Sequence, residues 1–379
     1  MWGSMNSMAI DRRSLLLGTL AFVGSGAMGK AFAAGAGTSE IAYVSAARRA
    51  AGDYCVLMLR ADGSVVRELP LSGRGHDIAI HRPSGRVVVI ARRPGTFAVA
   101  FELDKATPPQ VFTASHGRHF YGHGSFSNDG RLLYISENDI TGARGVIGIY
   151  DVAREYRKIG EHSSYGTGPH EIMLLADGKT IAVGNGGLDT VPDAGRVDLN
   201  IETMQPSLAF VDAGTGALIA KHAMTGDLKS LSIRHVTQDA KGVVWFGGQW
   251  EGSPSETPQI VGSAGPDRAL KLVDAPGGGK DLRGYIGAMA VSADGRIIAA
   301  SAPKAGHVLY VDTETGNVVG KSNLKDVCGL ASEGSGDFAA SSGFGVMRYE
   351  TPRASVISEV ALSDIAFDNH LRRVVSRPA

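Results

Sequence analysis

The stretch that decides the fold reads Gly122-His123-Gly124-Ser125-Phe126-Ser127-Asn128-Asp129-Gly130-Arg131 and runs into the apolar segment Leu132-Leu133-Tyr134-Ile135. An apolar strand, a polar turn that ends in Gly and a second apolar strand predict a β-hairpin. The same turn returns as Ala176-Asp177-Gly178 and as Ser292-Ala293-Asp294-Gly295-Arg296, each between apolar segments. The chain is therefore built from a repeated hairpin.

Further strands extend each hairpin into a larger unit. Segments that end in Asp151, Asp212 and Asp312 form third strands, and Gly216 and Gly316 close the turns into fourth strands. Four strands in a period of roughly 45 residues are typical of a β-propeller blade. A pair of β-sandwiches, the alternative, fits neither this period nor the uninterrupted repeat.

The count of inner strands predicts seven blades. We expect these strands to begin near Gly75, Gly122, Pro169, Arg234, Gly287, Val327 and Ser363. Too few residues follow Ser363 for four strands, whereas residues 41–44, 54–59 and 65–69 form three strands that lack an inner one. We therefore predict an all-β, seven-bladed β-propeller over residues 34–379, in which the N- and C-terminal strands share one blade and remove the open sheet edges.

The first 33 residues have the composition of an export signal. Arg12-Arg13 precede a short apolar segment, and Ala31-Phe32-Ala33 resembles a cleavage site of small residues. The paired arginines resemble a twin-arginine signal, which predicts a periplasmic protein. A membrane anchor, the alternative, needs about 20 unbroken apolar residues, whereas glycines and Lys30 interrupt this segment. We therefore expect no membrane attachment after cleavage.

Composition narrows the classes of partner. Lys+Arg and Asp+Glu both number 38, so the chain has no net charge that would attract nucleic acid. The chain has two cysteines, Cys55 and Cys328, which the repeat places on different blades, and we expect both thiols to be free.

Four histidines share one position in the repeat. His76, His123, His170 and His235 each lie near the start of an inner strand, the strand that lines the central channel of a propeller. The ring should therefore bring the four imidazoles together at one mouth. Neutral imidazole is a good ligand for Zn, Cu, Fe and Ni, so the sequence predicts a metal site; a hydrogen-bonded lining of the channel is the alternative.

Other polar residues are expected around this mouth. Glu171 and Asp77 directly follow two of the histidines and are expected to orient them from behind rather than to bind metal. Cys328 lies at the matching position of a later unit, as a candidate soft ligand or a buried structural thiol. The loops at 137–145, 185–206 and 249–268 are expected to form a collar that carries Glu137, Asn185 and Trp250.

Several of these segments together resemble a known family. The motifs, in chain order, are Arg74-Gly75-His76, Phe120-Tyr121-Gly122-His123-Gly124, Gly168-Pro169-His170-Glu171, Ser232-Ile233-Arg234-His235, Val327-Cys328-Gly329 and Asp368-Asn369-His370-Leu371. They resemble the exported domain of unknown function 1513 family. The resemblance implies a seven-bladed propeller of the quinoprotein amine dehydrogenase-like or YVTN type. It also implies a link to periplasmic iron uptake, with imelysin-type proteins as partners.

Three functions remain open at this point. The sequence favours a periplasmic propeller that binds iron or copper through His76, His123, His170 and His235 and serves metal acquisition. A periplasmic redox enzyme with a histidine-bound metal is the second reading, and a protein-interaction scaffold without metal is the third. The sequence lacks a phosphate-binding Gly-rich loop, a haem-attachment motif and a nucleophile elbow, so whether the protein is an enzyme stays open.

Overall fold

A computed structural model describes residues 41–105, 107–189, 200–256, 258–334, 336–353 and 356–374. Within these ranges, twenty-eight strands form seven four-stranded antiparallel sheets, the blades of a β-propeller. The export signal predicted in the first 33 residues lies outside the described residues.

Each blade is named by its inner strand. Going outward from the axis, the first two complete blades are β4 (Gly75–His81), β5 (Arg86–Ala91), β6 (Phe97–Glu102) and β7 (Gln110–Thr113), then β8 (Arg118–Phe126), β9 (Leu132–Asp139), β10 (Arg144–Asp151) and β11 (Arg157–Ser163). The next two are β12 (Pro169–Leu174), β13 (Thr180–Asn185), β14 (Ser207–Asp212) and β15 (Leu218–Ala223), then β16 (Leu231–Gln238), β17 (Val244–Trp250), β18 (Val261–Gly265) and β19 (Arg268–Leu272). The last two are β20 (Ala288–Val291), β21 (Ile297–Ala302), β22 (His307–Asp312) and β23 (Val318–Asn323), then β24 (Val327–Ser332), β25 (Phe338–Ser342), β26 (Val346–Glu350) and β27 (Val356–Ala361).

The remaining blade closes the ring with both ends of the chain. Its order is β28 (Ile365–Arg373), β1 (Tyr43–Arg49), β2 (Tyr54–Leu59) and β3 (Val65–Leu71). The C-terminal strand is thus the inner one, and it pairs antiparallel with the first strand of the chain. This confirms the predicted fold and its closure by a shared blade.

The turns that define the repeat also connect neighbouring blades. Gly130 and Gly295 have positive φ angles of 67° and 71°, a conformation that favours Gly. A Cβ atom at Gly130 would lie 2.4 Å from the His81 ring, and one at Gly295 would lie 2.4 Å from the Ala240 Cβ atom. The Asp-Gly turn is therefore required both by its backbone conformation and by contact with the preceding blade.

The apolar core lies between the faces of adjacent blades. One cluster joins Val88 and Ile90 of β5 to Phe120, Leu133 and Ile135 of the next blade, all of them fully buried. Burial of side chains of this size stabilises the fold by about 1.5–3 kcal/mol each. Each blade is thus held by its two neighbours.

Two further observations concern the cysteines and the helices. Cys55 and Cys328 are free, as predicted, and both are buried. Within the described ranges, the helices are all too short or too polar to cross a lipid bilayer.

Candidate metal centre

Most inner strands contain a shift in register relative to the neighbouring strand of the same blade. Among the described residues, the shifts in β4, β8, β12, β16, β24 and β28 lie between Gly75 and Ile78, Phe120 and Gly124, Pro169 and Glu171, Ile233 and His235, Val327 and Leu330, and Phe367 and Leu371. Such β-bulges leave residues out of the ladder and re-aim their side chains. They contain or directly precede the predicted histidines, so the bulge is the local structure that positions them.

Five imidazoles meet where these strands converge. Four are the predicted His76, His123, His170 and His235, and the fifth is His370 of β28. Successive ring centroids are 4.9, 5.0, 4.8 and 5.1 Å apart from His76 to His370, and His370 lies 4.8 Å from His76. His170 is 9% exposed and the other four are 3% exposed or less. We call these five residues the histidine cluster.

In the last repeat unit, the inner strand begins at Ile365, close to the predicted start near Ser363. Its axial residue is His370, several residues further along the strand. The cause is the length of the strand, since β28 and β8 are both nine residues long and carry the axial histidine as their sixth residue. The motif Asp368-Asn369-His370 was the sequence signal for this ligand candidate.

The potential ligand atoms of the cluster form two overlapping triplets. In one, an atom from each of His76, His123 and His370 lies within 4.8 Å of the others, and in the other the same holds for His123, His170 and His235. The four predicted histidines therefore lie close together. They do not form one set of ligand atoms, because His76 is grouped with His123 and His370, whereas His170 and His235 are grouped with His123. His123 belongs to both.

Carboxylates from the preceding blade contact three of the imidazoles. The Nδ1 atom of His76 lies 3.2 Å from Asp368, that of His123 lies 3.0 Å from Asp77, and that of His235 lies 3.0 Å from Glu171. A proton on Nδ1 makes each contact a hydrogen bond and leaves the lone pair on Nε2. Histidine ligands in metal sites are commonly oriented in this way.

The opposite ring nitrogens include buried atoms without partners. Among the described residues, no hydrogen bond reaches the Nε2 atoms of His123, His235 and His370 or the Nδ1 atom of His170. A buried polar atom left unpaired costs about 1–3 kcal/mol. A bound cation would satisfy such nitrogens.

Arg372 connects the carboxylates on one side of the cluster. Its guanidinium donates to both oxygens of Asp77 at 2.6 and 2.7 Å and to Glu171 at 3.1 Å. Burial alone would raise the pKa of Glu171, but interactions with His123, His235 and Arg372 outweigh it and lower the pKa to about 2. Glu171 is therefore an ionised hydrogen-bond acceptor at neutral pH.

Burial keeps most of the imidazoles neutral. It lowers the pKa of His76, His170 and His370 well below the ordinary value of 6.5, and neighbouring imidazoles lower it further. Burial also lowers the pKa of His235, although Glu171 partly opposes that shift. A neutral imidazole keeps the lone pair that a metal ion requires.

The remaining predicted site residues have separate surroundings. Cys328 donates from Sγ to the Asp326 carbonyl at 3.1 Å, and Asn185 donates to the Ser164 carbonyl at 2.8 Å. Glu137 and Trp250 were expected in the collar together with Asn185. Glu137 is buried and accepts from Tyr150 at 2.6 Å and from Lys158 at 2.8 Å. Trp250 donates to the Ser253 carbonyl at 3.0 Å.

Part of the expected collar is regular structure. Most of segment 137–145 belongs to β9 and β10, which leaves a short turn rather than a long loop. A groove beside this turn is lined by Arg118, Asp139, Lys158 and Glu161. These charged groups form ion pairs with one another. The groove therefore differs from the histidine cluster, in which several ring nitrogens are unpaired among the described residues.

Comparisons with known proteins place the fold without assigning a reaction. The family model described as "Protein of unknown function (DUF1513)" matches residues 69–374. The hydrazine synthase of Kuenenia stuttgartiensis is similar in structure, with a TM-score of 0.57 at 14% identity, over 88% of this chain and 99% of that one. In all, 1258 solved chains match, so the fold is common to many proteins. No curated protein matches this sequence.

Proposed function

Because the chain belongs to the DUF1513 family, whose description names no activity, we propose its function from the site itself. The protein binds a transition-metal ion, iron or copper, at the histidine cluster. It does so as an exported protein of the periplasm, where it serves metal acquisition.

One observation carries this proposal. His123 and His235 are hydrogen-bonded at Nδ1 by carboxylates, while their buried Nε2 atoms have no partner among the described residues. A structural hydrogen-bond network would satisfy both ring nitrogens, because an unpaired buried nitrogen destabilises the fold. A metal ion needs a fixed ring with a free lone pair, which is the arrangement found here.

The donor set narrows the kind of metal. Five imidazoles surround the site, and Asp77, Glu171 and Asp368 are engaged by imidazoles and arginines. Imidazole suits Zn, Cu, Fe and Ni, whereas Ca²⁺ and Mg²⁺ prefer oxygen ligands. Copper has the highest affinity for such nitrogen sites among the divalent metals. Iron is favoured by the association with iron uptake that the family resemblance implies.

The export signal and the net charge bear on the cellular role. The Arg12-Arg13 signal supports export of a folded protein by the twin-arginine route. Neutral overall charge gives no reason to expect nucleic acid as a partner. A buried metal site in an exported propeller suits transfer of metal to or from a periplasmic uptake protein of the imelysin type.

The test measures metal in protein exported by its own signal. We expect iron or copper near one equivalent per chain in the periplasmic wild type by elemental analysis. We expect loss of that metal in His123→Ala/His370→Ala, which removes a histidine from each triplet. His116→Ala is the matched control, because His116 is exposed and absent from the cluster.

Circular dichroism establishes that each variant is folded before its metal is counted. Equal metal content in the double variant and the wild type would contradict the proposed site. Wild type that takes up neither iron nor copper on reconstitution would contradict the function as a whole. Detection of the precursor only in the cytoplasm would contradict the periplasmic location.

A further inference from the structure

Four exposed basic residues lie on loops at the end of the propeller where the inner strands begin. They are Lys280 and Arg283 before β20, Lys304 between β21 and β22, and Lys325 before β24. Among the described residues, none of the four belongs to an ion pair. We call these four residues the basic rim.

The loops that carry the basic rim are in direct contact. Arg283 donates from Nη1 to the Lys304 carbonyl at 3.0 Å. The Leu324 N–H donates to the Gly306 carbonyl at 3.0 Å, which joins the loop of Lys304 to that of Lys325. The basic side chains therefore extend from one surface that spans two blades.

The charge of this surface is not balanced. The same loops hold two carboxylates, Asp281 and Asp326, against the four cations of the rim. At the same end of the β8 blade, by contrast, Arg118 pairs with Asp139 and Glu161. Of these two sectors, the basic rim is the one whose cations remain available to an acidic partner.

The rim is connected to the histidine cluster. Lys304 Nζ lies 5.3 Å from the ring centroid of Tyr285, whose hydroxyl accepts from Asn369 Nδ2 at 3.0 Å. Tyr285 and Asn369 line a cavity of about 20 Å³ together with His76 and His170. A cavity of this size holds about one water molecule. A protein bound at the rim would therefore lie beside the opening to the proposed metal site.

An exposed aromatic side chain belongs to the same surface. Phe344, between β25 and β26, is 58% exposed, and Lys325 Nζ lies 4.5 Å from its ring centroid. Aromatic side chains that are surrounded by polar residues are typical anchors in protein–protein interfaces. Since the chain as a whole has no net charge, this local surface favours a protein partner over nucleic acid or a lipid surface.

We propose that the basic rim docks an acidic segment of a protein that exchanges metal with the histidine cluster. The inference rests on the proposed metal function and deepens it, because it gives the chemistry of the partner. The four cations attract the carboxylates of the segment, and Phe344 packs against its apolar side chains. Such complementary charge accelerates association, and the effect falls as salt is added.

The first experiment measures docking on the metal-free protein. The probes are two fluorescein-labelled peptides that share a Gly-Gly-His end, one continuing with a run of Glu and the other with a run of Ser. Fluorescence anisotropy is recorded at about 10 mM and about 1 M salt, where the Debye length is about 30 and about 3 Å. We expect the Glu peptide to bind at least about tenfold more tightly at low salt, and that preference to disappear at high salt.

Two double variants locate the surface. Lys304→Glu/Lys325→Glu should remove the preference for the Glu peptide. Lys179→Glu/Arg296→Glu is the matched control, because it makes the same change in net charge at exposed turns at the other end of the propeller. If circular dichroism shows that the first variant is unfolded, Lys304→Gln/Lys325→Gln replaces it. Equal losses in the test and control variants would overturn the rim, because the peptide would then respond to net charge alone.

The second experiment links docking to metal exchange. Stopped-flow absorbance follows copper(II) from the loaded protein to the unlabelled peptides, whose identical Gly-Gly-His ends bind the metal. We expect transfer to the Glu peptide to be at least about tenfold faster in the wild type, within the range of electrostatic steering. The two rates should be equal in Lys304→Glu/Lys325→Glu.

The possible failures are distinguishable. Wild type that binds no metal overturns the metal function and the exchange, whereas the docking surface then stands or falls on the anisotropy measurement. A preference for the Glu peptide with equal transfer rates overturns the exchange alone. Binding to phosphatidylglycerol vesicles that is lost in Lys304→Glu/Lys325→Glu, without a preference for the Glu peptide, assigns the rim to a lipid surface and overturns the protein partner.

Discussion

Two arcs of the ring differ in the residues that they place near the axis. Five consecutive blades, those of β28, β4, β8, β12 and β16, place a histidine at the axis. The other two, those of β20 and β24, place Ala288 and Cys328 near the matching position. We call these the histidine arc and the plain arc.

In the plain arc, the groups around Cys328 are hydrogen-bonded within the fold, although Ser341 Oγ and Glu350 Oε2 are buried without a hydrogen-bond partner among the described residues. Ser301 Oγ donates to the Cys328 carbonyl at 2.8 Å, and the Cys328 thiol donates to the Asp326 carbonyl. The histidine arc instead leaves ring nitrogens of His123, His235 and His370 without partners among the described residues. Two blades therefore pack into the ring without a histidine near the axial position.

The largest expected effect comes from the histidine shared by both triplets. His123→Ala should weaken metal binding by at least about 100-fold, more than either His76→Ala or His170→Ala, because each of those removes a member of one triplet. Chelator competition on the folded variants measures this order. Equal losses for the three variants would show that the two triplets do not act as the geometry indicates.

A smaller effect is expected from the carboxylate behind that histidine. Asp77→Asn should weaken metal binding by about 10–100-fold, the range found when a group that orients a metal ligand is removed. The amide keeps the shape but lowers the strength of the acceptor for His123 Nδ1. Asp326→Asn in the plain arc is the matched control. Comparable losses in the two variants would remove the distinction between the arcs.

The histidine arc should also make the metal-free protein sensitive to acid. His76, His170 and His370 have a pKa below 6.5 in the folded state, so below about pH 6.5 the unfolded chain binds protons that the folded chain excludes. The free energy of unfolding should therefore fall by about 1.4 kcal/mol per pH unit for each group. Above that pH these groups should not alter the free energy of unfolding as the pH changes.

Urea unfolding between pH 7.5 and 5.5 measures this slope before most carboxylates titrate. His76→Gln and His170→Gln should each flatten it, whereas His116→Gln in an exposed position should not. Stability that is constant or rises on acidification in this window would contradict the assignment of neutral imidazoles.

The smallest effect is expected in the plain arc. Cys328→Ala should leave metal affinity unchanged and destabilise the fold by about 1 kcal/mol, the usual effect of a single buried substitution. Burial raises the pKa of the Cys328 thiol, so it should resist thiol reagents until the protein unfolds. Loss of metal in this variant would show that the plain arc contributes to metal binding.

Sequence alone determined the number of blades and the position of most of the cluster. The repeated Asp-Gly turns fix local hairpins, and equal positions in a closed ring converge on one axis. His76, His123, His170 and His235 could therefore be grouped without coordinates. Glu171 could be expected to orient an imidazole, but the one it contacts is His235 of the next blade rather than the adjacent His170. These inferences depend only on spacing that the chain repeats.

The tertiary structure decided the rest, because it depends on register between strands rather than on spacing within one. His370 was missed since β28 runs several residues before it reaches the axis. Asp77 and Asp368 contact imidazoles and Arg372 contacts Asp77, in each case between strands that are far apart in the chain. Pairing of ring nitrogens across blades is set by side-chain geometry that no linear repeat encodes.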